Sequence, residues 1–236
     1  TLSLHDALPI YYYTNYINKM RSDSVKKGML ICIGITIAQF LAAILVYKNL
    51  PEIIPTHWGI SGQIDGYGSK NMIFLMPAVS LFITISMYYF PKIDPKGNNI
   101  INSGNAYPAV MIFTNLVMAV ILTATILVSF GQNVPMNIVI ALTFGILMVV
   151  IGIYLPSIKQ NYFFGIKLPW TLANEQVWIK SHKLGGVIFV IVGILFMLGT
   201  IIPTPYNFFV PIGSLFIGII AVSIYSYIRS EEHTSE

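Results

Sequence analysis

The chain consists of long apolar runs separated by short polar segments. The runs lie at 28–47, 72–90, 109–130, 137–155, 187–202 and 207–228. An α-helix rises about 1.5 Å per residue, so about 20 residues cross the roughly 30 Å hydrocarbon core of a bilayer. The pattern therefore predicts an all-α integral membrane protein with six transmembrane helices.

The composition excludes a water-soluble enzyme. Hydrophobic residues make up 56% of the 236 residues and charged residues only 9%, and the mean hydropathy is +0.74. Soluble domains carry about a quarter charged residues. Cys32 is the one cysteine in the sequence, so an intrachain disulfide is also excluded.

The distribution of basic residues predicts the orientation, because cytoplasmic loops carry an excess of Lys and Arg. On a six-span topology, Lys48 and Lys70 fall on one side. The other side carries Lys19, Arg21, Lys26, Lys27, Lys92, Lys96, Lys159, Lys167, Lys180 and Lys183. We therefore expect cytoplasmic N and C termini, an extracellular loop at 48–70 and a cytoplasmic loop at 156–186.

The two ends of the chain are treated separately from the fold. Residues 1–10 and 229–236 resemble translated adaptor sequences, and we expect both to be artefacts. Between them we expect an N-terminal two-helix domain at 20–100 and a four-helix domain at 101–228.

The predicted extracellular loop is rich in Pro, Gly and Asp, which predicts an ordered series of turns. Its candidate functional side chains are His57, Trp58, Asp65 and Tyr67. Imidazole titrates near neutral pH and carboxylates are hard ligands, so His57 with Glu52 and Asp65 could bind a metal or transfer a proton. Alternatively, the two aromatic residues anchor the loop at the lipid headgroups and His57 hydrogen-bonds a turn.

The predicted cytoplasmic loop contains a helical pattern. Pro169 and Thr171 are typical of a helix start and Gly185–Gly186 of a helix end. Between them Glu175, Trp178 and His182 share one face. An acid and an imidazole on one face could take part in catalysis, but one Glu and one His are too few for a metal site.

We favour a short amphipathic helix lying at the cytoplasmic interface. In this interpretation Trp170 and Trp178 anchor the helix in the headgroup region. Lys180 and Lys183 lie close to anionic headgroups.

This loop resembles the SdpI family, bacterial membrane proteins named for an immunity protein. The matching positions are Asn161, Phe163, Gly165, Ile166, Pro169, Trp170, Thr171, Leu172, Glu175, Trp178, His182 and Gly186. The extracellular loop resembles the short uncharacterised domain that often precedes the family segment. Lys167 and Leu168 stand where the family usually has Arg and Thr, so a bidentate guanidinium contact is lost.

The resemblance implies a non-enzymatic protein without cofactor or metal, in the bacterial cell membrane. It implies immunity to a secreted peptide toxin, and signalling by holding a transcriptional repressor at the membrane, without direct nucleic-acid binding. The extracellular loop with His57 and Trp58 would face the toxin. The helix with Glu175, Trp178 and His182 would face the repressor or set the conformation.

Two other functions are considered. A membrane metal-dependent hydrolase would use His57 with Asp65, or Glu175 with His182. A small-solute transporter is disfavoured because the predicted spans contain no charged residue, and coupled transporters place ionisable groups on the substrate path.

Overall fold

The computed structural model describes the backbone of residues 4–234 and the side chains of residues 23–232. The predicted artefacts at 1–10 and 229–236 lie partly outside these residues and stay predictions. The described chain comprises helices and one β-hairpin. The elements are α1 (Leu4–Tyr47), β1 (Ile53–Trp58), β2 (Ile64–Ser69), α2 (Leu75–Ile93), α3 (Gly97–Ile101), α4 (Ala106–Ser129), α5 (Met136–Tyr154), α6 (Pro169–Ala173), α7 (Glu175–Leu198) and α8 (Tyr206–Thr234).

Six helical segments of the described chain are long and apolar enough to cross a bilayer, which confirms the predicted fold class. They are Asp23–Tyr47, Lys70–Ile93, Ala106–Ser129, Met136–Ser157, Glu175–Ile201 and Tyr206–Glu232. The chain is thus a multi-pass membrane protein. The side that carries β1 and β2 is called the hairpin face, and the side that carries residues 155–174 the motif face. Which face is cytoplasmic stays a prediction.

The six spans pack as two groups joined by α4. Helices α1, α2 and α4 contact one another, and α7 contacts both α5 and α8. Helix α4 also packs on α5, which joins the two groups. The predicted domain boundary near residue 100 stays a prediction.

Two pairs of glycines bring α5 and α7 close together. A Cβ atom added to Gly145 would lie 2.7 Å from the carbonyl oxygen of Gly193, and one added to Gly152 would lie 2.7 Å from that of Gly186. Real Cβ atoms do not approach so closely, so only glycine fits at these crossings. Small residues at helix contacts are a common way for membrane helices to gain packing energy.

The helix containing Trp178 and His182 differs from the prediction. It is not a short interfacial helix that ends at Gly185–Gly186, because α7 runs unbroken from Glu175 to Leu198. The two glycines are buried midway along α7, where Gly186 faces Gly152 and Gly185 faces Ile166. Glycine near the middle of a helix is tolerated when a neighbouring helix needs the space.

The loop at 48–70 contains a two-stranded antiparallel sheet where a series of turns was predicted. The strands are joined through Gly62, whose φ of +81° favours glycine. Ile54 of β1 is buried against Leu50, Ile73 and Leu122, so the hairpin is anchored on the ends of the spans.

Alanine at Gly145 tests the close packing of α5 on α7. Glycine to alanine inside a helix ordinarily stabilises it by up to about 1 kcal/mol. At Gly145 the new methyl group meets a backbone carbonyl, and overpacking of this kind costs about 1–3 kcal/mol. We expect a lower melting temperature in detergent micelles for Gly145→Ala.

The matched control is Gly213→Ala in α8, where an added Cβ meets nothing within 4 Å. This variant should melt at the same temperature as the wild type or higher. Equal melting temperatures for the two variants would contradict the packing described here.

Candidate functional site

The motif face is organised around two buried aromatic side chains of α7. Residues 158–168, called the motif loop, fold over Trp178 and His182, both of which have no exposed surface. The two rings stack with centroids 4.0 Å apart. The indole Nε1 of Trp178 donates to the carbonyl oxygen of Ile158 at 2.8 Å, which fixes the start of the loop.

His182 uses both ring nitrogens inside the protein. The backbone N–H of Ile166 donates to Nε2 at 3.0 Å, so Nε2 carries no proton. The proton is therefore on Nδ1, which donates to the carbonyl oxygen of Trp178 at 2.8 Å. A neutral imidazole with both nitrogens engaged is a structural group rather than a base or a metal ligand.

The structure does not bring Glu175 and His182 together. Glu175 is exposed in the first turn of α7, and seven residues at 1.5 Å each separate it from His182 by about 10 Å along the helix. One further prediction for this segment is wrong, because Trp178 is fully buried and is not available to anchor in the headgroups. Trp170 is half-buried against α8, where its Nε1 donates to the Ser226 hydroxyl at 2.7 Å, and its role as a headgroup anchor stays a prediction.

Gly165 permits the loop to lie directly on the stacked rings. Its φ of +118° is a conformation that favours glycine. An added Cβ would collide with Nε2 of His182 and lie 3.1 Å from Cζ2 of Trp178. The glycine in this motif therefore serves both the backbone turn and the ring contact.

The side-chain amide of Asn161 replaces the backbone pairing that the motif loop lacks. Its Oδ1 accepts from the N–H groups of Phe163 at 3.0 Å and Phe164 at 2.6 Å. Its Nδ2 donates to the carbonyl oxygens of Lys159 and Phe164 at 2.8 and 2.9 Å. Asn161 is fully buried, so these bonds satisfy polar groups that have no access to water.

Thr171 closes the other end of the loop. Its hydroxyl accepts from the N–H of Leu168 at 2.9 Å and donates to the carbonyl oxygen of Ile166 at 2.8 Å. Pro169 occupies the first position of the short helix α6, where its missing N–H is not needed. The threonine and proline of the motif thus direct the chain into the turn before α7.

The connection between α2 and α4 holds the motif loop from the other side. Asp94 Oδ2 accepts from the N–H of Tyr162 at 2.7 Å, and the Ser103 hydroxyl accepts from the N–H of Lys159 at 3.0 Å. Sequence reasoning assigned no chemistry to this connection. In the sequence, Asp94 followed by Pro95 is a pair that favours a turn, and nothing near it indicates the bond to Tyr162.

On the hairpin face the structure brings His57 and Asp65 together. Their Nδ1 and Oδ1 atoms lie 2.5 Å apart across the two strands, and both side chains are more than half exposed. Glu52 does not join them, because it pairs with Lys70 at 2.8 Å. In the part of the chain that the structure describes, no group of three His, Cys, Asp or Glu residues could hold a metal ion.

The two aromatic residues of the hairpin differ in exposure. The Tyr67 ring is 64% exposed. Trp58 is half-buried and lines an apolar cavity of about 90 Å³ with Ile54, Met72 and Leu122. The hairpin therefore offers an exposed phenol and an imidazole–carboxylate pair, and an apolar recess lies between the hairpin and the ends of α2 and α4.

A polar cluster inside the membrane was missed by the sequence reasoning. Asn115 of α4 accepts at Oδ1 from the hydroxyls of Thr36 at 3.4 Å, Thr84 at 3.1 Å and Ser80. Gln39 donates from Nε2 to the Ser80 hydroxyl at 3.0 Å, while its buried Oε1 has no partner among the described side chains. The signal was a set of polar residues inside three apolar runs, of which Asn115 and Gln39 are the two amides.

Two family models match parts of the chain. Residues 34–81 match a domain of unknown function (DUF1648), which covers the second half of the first span, the hairpin and the start of α2. Residues 157–226 match the SdpI/YfhL protein family, which covers the motif loop, α6, α7 and most of α8.

The chain is also similar to two curated proteins. The Immunity protein SdpI of Bacillus subtilis (strain 168) is 25% identical over 202 residues, which cover 85% of this chain and 95% of that protein. An uncharacterized protein of Archaeoglobus fulgidus is 42% identical over 40 residues, 17% of this chain and 22% of that protein. No solved structure matches the chain.

Phenylalanine at His182 tests the structural role of the imidazole. The ring keeps a similar volume, but the N–H of Ile166 loses its acceptor, and an unsatisfied buried donor costs about 1–3 kcal/mol. We expect a clear decrease of the melting temperature in detergent. The control His57→Phe changes a side chain that is 73% exposed, so its effect should stay within about 0.5 kcal/mol. A tolerated His182→Phe would refute the assigned role.

Proposed function

Since the chain belongs to the SdpI/YfhL family of bacterial membrane proteins, we propose that it confers immunity to a secreted peptide toxin. One observation carries the proposal. The similarity to the Immunity protein SdpI spans 95% of that protein and therefore includes both the hairpin face and the motif face. A shared membrane anchor alone would leave the loops on the two faces unmatched.

We assign toxin recognition to the hairpin. Its exposed side chains include Tyr67 and the His57–Asp65 pair, and Trp58 lines an apolar recess between the hairpin and the ends of α2 and α4. Tyrosine and tryptophan are enriched at protein interfaces because they give a large contact area at low entropic cost. A carboxylate paired with an imidazole adds hydrogen-bonding groups for a peptide backbone or a basic side chain.

We assign the signalling role to the motif face, where a transcriptional repressor would be held. Helix α2 connects the two faces, since the chain leaves the hairpin at Lys70, enters α2 at Leu75 and reaches Asp94 beside the motif loop directly after the helix. Displacement of the hairpin by a peptide would move α2, and Asp94 would transmit the movement to Tyr162. The interhelical hydrogen bonds at Asn115 permit such movement, because bonds of this kind are worth only about 0.6 kcal/mol each in membrane proteins.

The proposed role is non-enzymatic. His182 donates and accepts within the protein and has no nitrogen left for a substrate. His57 and Asp65 form an isolated exposed pair on the hairpin, and Glu52 is engaged by Lys70. A hydrolase would require a nucleophile or a metal-bound water beside such a pair.

The recognition surface is tested by a pair of tyrosine substitutions on the same face. Tyr67 is 64% exposed on β2 and Tyr206 is 63% exposed at the start of α8. Cells of a toxin-sensitive bacterium that express the wild type should survive the secreted peptide encoded beside the gene. Tyr67→Ala should lower the tolerated toxin concentration about tenfold, the effect of losing roughly 1.4 kcal/mol at an interface hot spot.

Tyr206→Ala, expressed at equal membrane abundance, should protect as well as the wild type. Immunity would be abandoned if the wild type gave no protection. Equal losses in the two variants would argue against recognition by the hairpin.

The signalling role is tested at Asp94. In Asp94→Ala the N–H of Tyr162 loses its acceptor, which should uncouple the motif loop from α2. The toxin response of a reporter driven by the operon's own promoter should then fall at least about fivefold. This factor corresponds to roughly 1 kcal/mol for the lost hydrogen bond. Protection itself should persist.

The control is Asp23→Ala, an exposed acid on the same face whose ion pair with Lys26 has a length of 3.8 Å. It should leave the reporter response unchanged. A normal response in Asp94→Ala would show that the loop is not the coupling element.

A further inference from the structure

A groove of about 270 Å³ lies on the motif face, over the first turns of α4. One wall is α1 and the other includes Tyr154 at the end of α5. Helix α1 sits very close to α4 here, since a Cβ atom added to Gly28 would lie 2.6 Å from Cβ of Pro108. Helix α4 forms the floor of the groove and α1 forms one wall, and the two helices are therefore held in close contact.

The outer end of the groove is polar and carries a positive charge. Lys27 lines it and is exposed. The Ser24 hydroxyl donates to Oδ1 of Asn105 at 3.0 Å, so the amide N–H groups are what the Asn105 side chain can offer to an anion. The nearby carboxylate of Asp23 is paired with Lys26 rather than with Lys27.

The inner end of the groove is apolar and leads into the membrane. Ile31 of α1 and Ile112 of α4 line it, and Ile31 is 48% exposed. The same face of α4 continues through Leu116 and Val120, which are 39% and 42% exposed. These α4 residues follow one another at intervals of four and so form a continuous apolar track.

We propose that this groove binds an anionic phospholipid, with the phosphate at Lys27 and Asn105 and an acyl chain along α4. Polar groups and then apolar groups follow one another along the groove, in the order found in a phospholipid. The cation and the amide lie where the span Asp23–Tyr47 begins, at the depth of the headgroups, and the apolar track starts one turn further in. A free anion would use only the outer end of this groove, whereas a phospholipid contacts both.

Charge complementarity favours an anionic over a zwitterionic headgroup. A lysine near an anionic lipid surface contributes about 1 kcal/mol. In a zwitterionic lipid the choline group would stand beside Lys27 and oppose the phosphate's attraction.

The test measures lipid binding to the purified full chain in nonionic detergent. Phosphatidylglycerol and phosphatidylcholine with the same acyl chains are titrated, and bound lipid is counted by native mass spectrometry. We expect phosphatidylglycerol to bind more tightly to the wild type. Lys27→Gln should weaken its binding about fivefold, the ratio that corresponds to one lysine at an anionic headgroup.

Lys26→Gln is the matched control, because Lys26 is an adjacent lysine that pairs with Asp23 and does not line the groove. It should bind phosphatidylglycerol like the wild type. Ala109→Leu places a larger side chain in the groove and should weaken binding of phosphatidylglycerol while both lysines remain. The melting temperature of each variant is measured in phosphatidylcholine. Only variants that melt at the wild-type temperature are compared, so that misfolding is detected separately.

Three results would overturn the proposal. The first is equal binding of phosphatidylglycerol by Lys27→Gln and Lys26→Gln. The second is equal affinity of the wild type for the two lipids. The third is stabilisation by inorganic phosphate that depends on Lys27 but is unaffected by Ala109→Leu, which would identify a free-anion site.

Discussion

The arrangement of the motif face depends on the satisfaction of backbone groups in a segment that has no helix or sheet of its own. The motif loop covers two fully buried rings, so its N–H and C=O groups cannot all turn to water. Side chains supply the missing partners: the indole of Trp178, the imidazole of His182 and the amide of Asn161. An unsatisfied buried group would cost about 1–3 kcal/mol, so losing several of them would release the loop. This explains why polar and aromatic residues dominate a segment at the end of an otherwise apolar bundle.

The hairpin face and the motif face differ in character and are joined by one helix. The hairpin face carries an exposed hairpin of short strands with paired charges, whereas the motif face carries a packed loop in which Gln160 and Asn161 are buried. Helix α2 connects the two, and its middle passes through the cluster of neutral hydrogen bonds centred on Asn115. Neutral groups can exchange partners inside a membrane without moving a charge into hydrocarbon, where a charge is costly.

How much the sequence could predict depended on the range of the interactions. The six spans followed from charge-free runs, since length and hydropathy are local properties. The shared face of Trp178 and His182 was also predicted correctly from helical spacing. Glu175 shares their spacing along the helix, but it is exposed at the start of α7, whereas the other two side chains are buried.

The remaining features depended on partners far away in the sequence. Gly185–Gly186 looked like a helix end because nothing local reveals that Gly152 of another helix needs the space. The polar cluster joins α1, α2 and α4, and each helix contributes only one or two of its polar residues to it. The hairpin was predicted as turns because its strands contain Pro55 and two glycines, which ordinarily weaken a strand assignment.

The glycine pairs of α5 and α7 determine which part of the bundle can move. In each helix the two glycines are separated by seven residues, as Gly145 is from Gly152 and Gly186 is from Gly193. Sliding one helix by a turn would place side chains opposite backbone that tolerates only hydrogen atoms. The two helices are thus locked in register, so any rearrangement of the bundle has to leave the contact between α5 and α7 unchanged.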